Sequence, residues 1–179
     1  VQKWIDTQAP AIGGACYADE TEIPCGGDRH RFWACLDWDT RYIAATHYST
    51  TGDVENAIEF LKKAGRHKPH YIQTDAAQFY PRAFRKAFWK GNALTVAHRV
   101  QNVRKTKKHN VRIEALFMKI KDRVHDMRGL KALWSAPILL AGITIQHNWI
   151  EAHTTTGKIP SELAGITTKG KNKWLEIIT

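Results

Sequence analysis

Lys68-Pro-His-Tyr-Ile-Gln-Thr-Asp-Ala-Ala-Gln-Phe79 decides how the chain is read. A short β-prone run, His70 to Thr74, stops at Asp75. Two small residues follow, and then a helical pattern begins. In open α/β sheets, sites form just beyond the carboxyl ends of strands, so an acid here is presented to a ligand. A lone Asp in this position is more often a helix N-cap. Other carboxylates aimed at the same point would change that balance.

Working outward, the order of elements can be read from pattern. Gly14 to Ile23, Arg31 to Leu36 and Arg41 to Ser49 read as three strands, joined by turns at Pro24–Gly27 and Asp37–Thr40. They predict an antiparallel meander. Val54, Ala57, Ile58, Leu61 and Ala64 recur at helical spacing after a capping-box-like start at Thr50 and Asp53, and Gly65 closes the helix. The crossover places the strand ending at Asp75 in the same sheet. A helix over Gln78 to Trp89 and a fifth strand over Asn92 to Val100 follow.

Residues 99–109 are strongly basic. Val111 to Met127 is the clearest helix, with Ile113, Leu116, Phe117, Ile120, Val124 and Met127 on one face. Glu114 lies beside that stripe, and Lys121 follows two turns later. A last long helix is predicted from about Ser135 to Ala152, Pro137 being tolerated in its first turn. A short helix at Ile159 to Ala164 and a basic tail complete the chain.

The chain has 179 residues, enough for one domain with a real core, and 43% of them are hydrophobic. The formal net charge of +10 favours a polyanionic partner. No signal peptide is visible, and the most apolar stretch, Ala136 to Ile145, is too short to span a bilayer. Three irregularly spaced cysteines suit a reducing compartment. Cys16, Cys25 and Cys35 read as buried thiols, since a zinc site with His30 would lack any tight pair of cysteines.

Three strands, helix, strand, helix, strand, helix is the order of the RNase H-like α/β fold, here a five-stranded mixed sheet with flanking helices. Asp19 then falls on the first strand, Asp75 ends the fourth, and Glu114 lies on the following long helix. Three converging carboxylates repel one another. Hard divalent cations relieve that, and two of them can serve phosphoryl transfer.

Ala18-Asp-Glu-Thr21, Leu36-Asp-Trp-Asp-Thr-Arg-Tyr-Ile43, Ile72-Gln-Thr-Asp-Ala76 and Asn110-Val-Arg-Ile-Glu114 stand in that order. Lys119 to Gly129, Gln146 to His153 and Lys158 to Ile166 continue the pattern. In these segments the chain resembles the DDE transposase and integrase superfamily, in particular bacterial and archaeal insertion-sequence transposases. The resemblance implies Asp19, Asp75 and Glu114 as catalytic and metal-binding residues, with two Mg²⁺ (or Mn²⁺) ions. Asp75 and Glu114 have 38 residues between them, and a longer basic loop at 102–109 absorbs the excess.

The resemblance also implies Lys121 as a contact to a DNA end. Arg99, Arg104, Lys105, Lys107, Lys108 and Arg123 are expected to line the same DNA-binding face. The partner is double-stranded DNA, bound by a homodimer or higher assembly in a prokaryotic cytoplasm. Residues 1–12 look like the end of a helix-turn-helix and its linker, 13–168 the catalytic domain and 169–179 a basic tail. A structure-selective nuclease leaning on Asp37 as a fourth carboxylate, and a DNA-binding remnant without activity, are the alternatives.

Smaller expectations concern single residues. Glu20 should point to the face opposite Asp19. His98, His109 and His125 should face solvent or DNA. Trp33, Trp38, Trp89 and Trp134 should be core or packing residues, with Trp38 the best candidate of the four for exposed stacking.

Overall fold

The computed structural model describes residues 2–101, 110–168, 170 and 172–178. The basic loop 102–109 lies outside them. Strands β1 (Ala15–Cys25), β2 (Asp28–Asp37) and β3 (Ile43–Ser49) form the predicted antiparallel meander. Helix α1 (Gln2–Thr7) precedes them. Helix α2 (Val54–Gly65) crosses over to β4 (Tyr71–Thr74), which runs parallel to β1. Gly14 enters β1 at φ +89°, where an added Cβ would sit 2.7 Å from the His70 ring, so the close approach of β1 and β4 needs a glycine there.

The cap of α2 differs in detail from expectation. Asp53 is the N-cap itself, accepting from Asn56 N at 2.9 Å, and Thr50 lies outside the helix. Helix α3 (Tyr80–Phe88) follows the Asp75 turn. The fifth strand is also corrected. Residues 89–100 divide into a small hairpin, β5 (Trp89–Lys90) with β6 (Ala93–Leu94), and a separate β7 (Ala97–Val100). Gly91 supplies the turn at φ +60°, and Thr95 N then bonds Phe88 O at 2.9 Å. The alternation of Leu94 and Val96 was local: Leu94 is exposed and only Val96 is buried. The main sheet has the order β3-β2-β1-β4-β7, with β7 parallel to β4.

Each face of the sheet carries its own core. On one side Cys16, Ala18, Trp33 and Cys35 pack against Phe60 and Leu61 of α2 and Tyr80, Phe84 and Phe88 of α3. On the other, Ile23, Cys25, Phe32, Ala34 and Leu36 meet helix α4 (Val111–Asp126) through Ile113, Leu116, Phe117, Ile120 and Val124. The cysteines thus lie on opposite faces, all three free and buried, as a thiol reading requires and a zinc reading forbids.

The last long helix is not uniform. Helix α5 (Ala136–Ile145) widens into a π-helical turn, Gln146–Ile150. That turn aims Asn148 at the start of β3, where its side chain accepts from Ile43 N at 2.8 Å and donates to Ile43 O at 3.0 Å. His147 Nε2 pairs with Arg41 O at 2.8 Å. Tertiary bonds thus decide a local geometry that helical periodicity alone did not foresee. Helices α6 (Pro160–Leu163) and α7 (Lys173–Ile178) close a third cluster, in which Tyr42, Trp149, Ala164 and Ile177 are buried and Trp4 packs edge-on to Trp149. No helix among the described residues is long and apolar enough to cross a membrane.

Candidate active site

Asp19 lies in the middle of β1, opposite Ala34 of β2, on the side covered by α4. The parallel register pairs Tyr17 with Gln73. Asp19 and Asp75 each follow that pair by two residues, Asp75 lying just past the end of β4. Asp75 follows the last residue of β4, is exposed, and accepts from Ala77 N at 3.0 Å. That bond is the local N-cap-like feature foreseen for a lone Asp, and it leaves the second carboxylate oxygen to the site. Glu114 is exposed in the first turn of α4.

The electrostatics tie the three together. Burial pushes the Asp19 carboxyl up to about 7. The charge of Glu20 adds to the rise, the Glu20 N–H opposes it from 2.9 Å, and the charges of Asp75 and Glu114 raise it further. Asp75 and Glu114 therefore both stand within electrostatic reach of Asp19. Among the described residues, no three His, Cys, Asp or Glu side chains are yet close enough to one another to ligate an ion. The donor set nevertheless fits a hard divalent cation: oxygen ligands only, and like charges that a cation would relieve.

A fourth acid enters that sequence reasoning set aside. Glu20 does face the other side of β1, as alternation requires. There Tyr80 Oη donates to its Oε2 at 2.8 Å. Burial raises the Glu20 carboxyl, the Tyr80 bond opposes this, and the charge of Asp75 adds to the rise. No local signal marks the pairing, because the partners lie 60 residues apart. Asp37, the acid weighed as a possible fourth ligand, is committed elsewhere. Fully buried, it accepts from Gly13 N and Thr40 N, each at 2.9 Å, and from Thr40 Oγ1 at 2.7 Å. It holds the β2–β3 turn, as its turn reading required.

The expected basic face is described only in part. Arg104, Lys105, Lys107 and Lys108, with His109, lie outside the described residues. Arg99 is on β7, its guanidinium 3.6 Å from the Tyr71 ring centroid. Lys121 is exposed two turns along α4 from Glu114. Arg123 stands apart. About two and a half turns beyond Glu114, it faces the opposite side of α4. There it donates to Gln146 Oε1 at 2.6 Å and pairs with Glu151, which Lys119 also meets at 2.5 Å.

Several aromatic expectations are corrected. Trp38 is a packing residue, as expected, but its faces are not open for stacking: the Tyr17 ring lies 4.5 Å away and the Arg112 guanidinium 3.2 Å from its centroid. Trp89 and Trp134 are 53% and 76% exposed, whereas Trp33 is buried. His98 stacks on Phe84 at 3.8 Å and sits 2.9 Å from Thr74 Oγ1, so it braces the end of β4 instead of facing DNA. His125 is exposed as expected.

Comparison with known proteins places the chain in a family and gives its fold relatives. The family model for the DDE domain, in its IS240 transposase form, matches residues 14–153. The chain belongs to the DDE domain family. Its fold is shared with retroviral integrases. A chain of the simian T-cell lymphotropic virus intasome, solved with the PP2A regulatory subunit B56 gamma, superposes with a TM-score of 0.67 at 15% identity. That match covers 91% of this chain and 58% of the viral one, so the DDE domain described here spans little more than half of that relative. The HTLV-2 integrase catalytic core, solved with magnesium as a trimer, gives 0.62 at 13% identity and covers 88% of this chain and 99% of that one. Its dimeric form, also with magnesium, gives 0.60 at 14% identity, covering 87% and 97%. No curated protein matches the sequence.

Proposed function

We propose that residues 13–168 are the catalytic domain of a DNA transposase, a metal-dependent polynucleotidyl transferase acting through Asp19, Asp75 and Glu114. The observation that carries this reading is Asp19, a carboxyl on the central strand pushed up to about 7 chiefly by burial, with the charges of Glu20, Asp75 and Glu114 adding to the rise. A site built of mutually repelling acids is costly to hold without a cation.

Asp19, Asp75 and Glu114 would hold Mg²⁺ or Mn²⁺, two ions in this reading. Such ions supply an activated oxygen nucleophile and stabilisation of the leaving oxygen. The rigid placement of Asp19 on a central strand fixes one side of the site. Asp75, at a strand end, and Glu114, on a helix, approach from the other two directions. Water first attacks a phosphodiester at an element end, which frees a 3′-hydroxyl. That hydroxyl then attacks a phosphodiester of the target strand, joining the element end to the target's 5′-phosphate and releasing a 3′-hydroxyl on the target. Arg99 and Lys121, with the basic loop, hold the duplex by its phosphates. The active assembly is a homodimer or larger on DNA, in line with the dimeric and trimeric integrase cores, and it works on chromosomal DNA in a prokaryotic cytoplasm.

The test is strand cleavage and joining on duplexes that carry a free 3′-hydroxyl, with Mg²⁺ or Mn²⁺. Joined product that disappears on chelation is the expected result, and metal-independent product overturns the reading. DNA binding is checked separately. Lys121→Ala should weaken binding to all duplex sequences alike and lower the slope of log affinity against log salt by about 1, the share of one phosphate contact. An unchanged slope removes Lys121 from the interface.

A further inference from the structure

The pair Glu20–Tyr80 is left over once the three acids are assigned. Tyr80 is fully buried as the first residue of α3, and its hydroxyl donates to Glu20 at 2.8 Å. The Glu20 backbone N–H in turn donates to Asp19 Oδ1 at 2.9 Å. A continuous path therefore runs from the start of α3 to the Asp19 carboxylate. Asp75 hangs on the other end of the same segment, because β4 ends at Thr74 and α3 begins at Tyr80. The five residues between them, Asp75 to Phe79, are tied at one end by Thr74, whose hydroxyl bonds Asp75 O at 2.8 Å and lies 2.9 Å from His98. At the other end they are tied by Tyr80 to Glu20.

We propose that Glu20 and Tyr80 are positioning residues of the cation site. They anchor the Asp75 turn against β1 at a set distance from Asp19, and they keep a fourth negative charge directly behind it. This inference rests on the metal-dependent reading above. Placing a half-buried carboxylate beside two other acids, relieved by the Tyr80 hydroxyl, its own N–H and the Arg31 charge, is unfavourable for a protein without a cation. A tyrosine that served packing alone would need no carboxylate opposite it. A cation bound by Asp19 and Asp75 converts the cost into attraction, at a distance where Glu20 need not ligate. Outer groups of this kind orient ligands and commonly change metal affinity by 10–100-fold.

Two substitutions separate charge from packing. Glu20→Gln keeps a carbonyl acceptor for Tyr80 and removes the charge. Tyr80→Phe keeps the ring and removes the donor. Mn²⁺ binding to the whole chain is measured by calorimetric titration, alongside melting temperature with and without Mn²⁺. Both variants should bind Mn²⁺ about tenfold more weakly. Glu20→Gln should also melt at or above the parental temperature without metal, yet gain less on adding Mn²⁺. Asp19→Asn and Asp75→Asn are run beside them.

If those two lose binding while Glu20→Gln and Tyr80→Phe keep the parental affinity, the positioning role is overturned and the cation site stands. If Asp19→Asn and Asp75→Asn also bind as the parent does, the site reading fails and this inference with it. Should Tyr80→Phe not fold, Glu20→Gln decides: parental Mn²⁺ affinity in that variant is sufficient to reject the proposal.

Discussion

Glu114→Gln and Asp75→Asn leave the protein folded and bound to DNA, and slow metal-dependent strand transfer by roughly 10²–10³ or more. Both side chains are exposed, so neither substitution opens a cavity or strands a buried group. Each keeps its size and one carbonyl oxygen. What it loses is one of the charges that add to the rise of the Asp19 carboxyl, which burial chiefly pushes up to about 7. Without that charge the reacting oxygens are no longer held in line. DNA affinity should be kept or rise, because a charge that repels phosphate is gone. Transfer of a pre-cut DNA end and equilibrium binding are measured side by side. If Glu114 only served an exposed helix pair, its loss would cost about 0.2–0.5 kcal/mol and leave activity intact. Parental activity in Glu114→Gln would remove that acid from the site.

The stability of the protein should fall steeply on acidification, and His147→Gln should flatten much of that fall. His147 is 6% exposed in the π-helical turn, with Nε2 2.8 Å from Arg41 O. Burial holds its pKa down to about 4, against an ordinary 6.5. The Arg41 carbonyl opposes that shift, and the charges of Lys119 and His153 reinforce it. The folded value lies below the unfolded one, so between these limits the unfolded chain binds the extra proton. Stability is therefore fully present above pH 6.5 and is lost as pH falls towards 4. The whole span is worth roughly 3 kcal/mol, of which about 2 kcal/mol is gone by pH 5. Glutamine still offers Arg41 O an N–H donor but does not titrate. Urea unfolding at pH 7.5 and pH 5 gives the difference between the two proteins, in which their common titrations cancel. Parallel pH curves for the parent and His147→Gln would show that the histidine is not held neutral in the fold.

The order of elements was legible in the sequence because its signals are local, and the same signals picked out Asp19, Asp75 and Glu114 as candidates. A strand that stops at an acid, alternation along β1 and a 3.6-residue stripe on α4 each need only near neighbours. The parallel register of β1 and β4, a consequence of the crossover through α2, brings the end of β4 to the middle of β1, where the charge of Asp75 reaches Asp19. The same local logic misled where a short apolar alternation met a glycine turn. Residues 89–100 became a hairpin and a separate strand, since Gly91 and Thr95 break the ladder before Val96.

Sequence by itself determined the sheet and its crossover, and it proposed the acids near the end of β4. Only the tertiary structure decided which neighbours those acids meet. Glu20, next to the candidate site, is bound by Tyr80, which lies 60 residues away. Asp37 left it for Gly13 and Thr40, Trp38 was covered by Tyr17 and Arg112, and Arg123 turned to Glu151. The physical reason is common to all of them. Periodicity reports which face of an element a side chain occupies, whereas a polar or aromatic side chain near a sheet edge takes whichever partner packing brings within about 3–4 Å, and the chain order does not contain that distance.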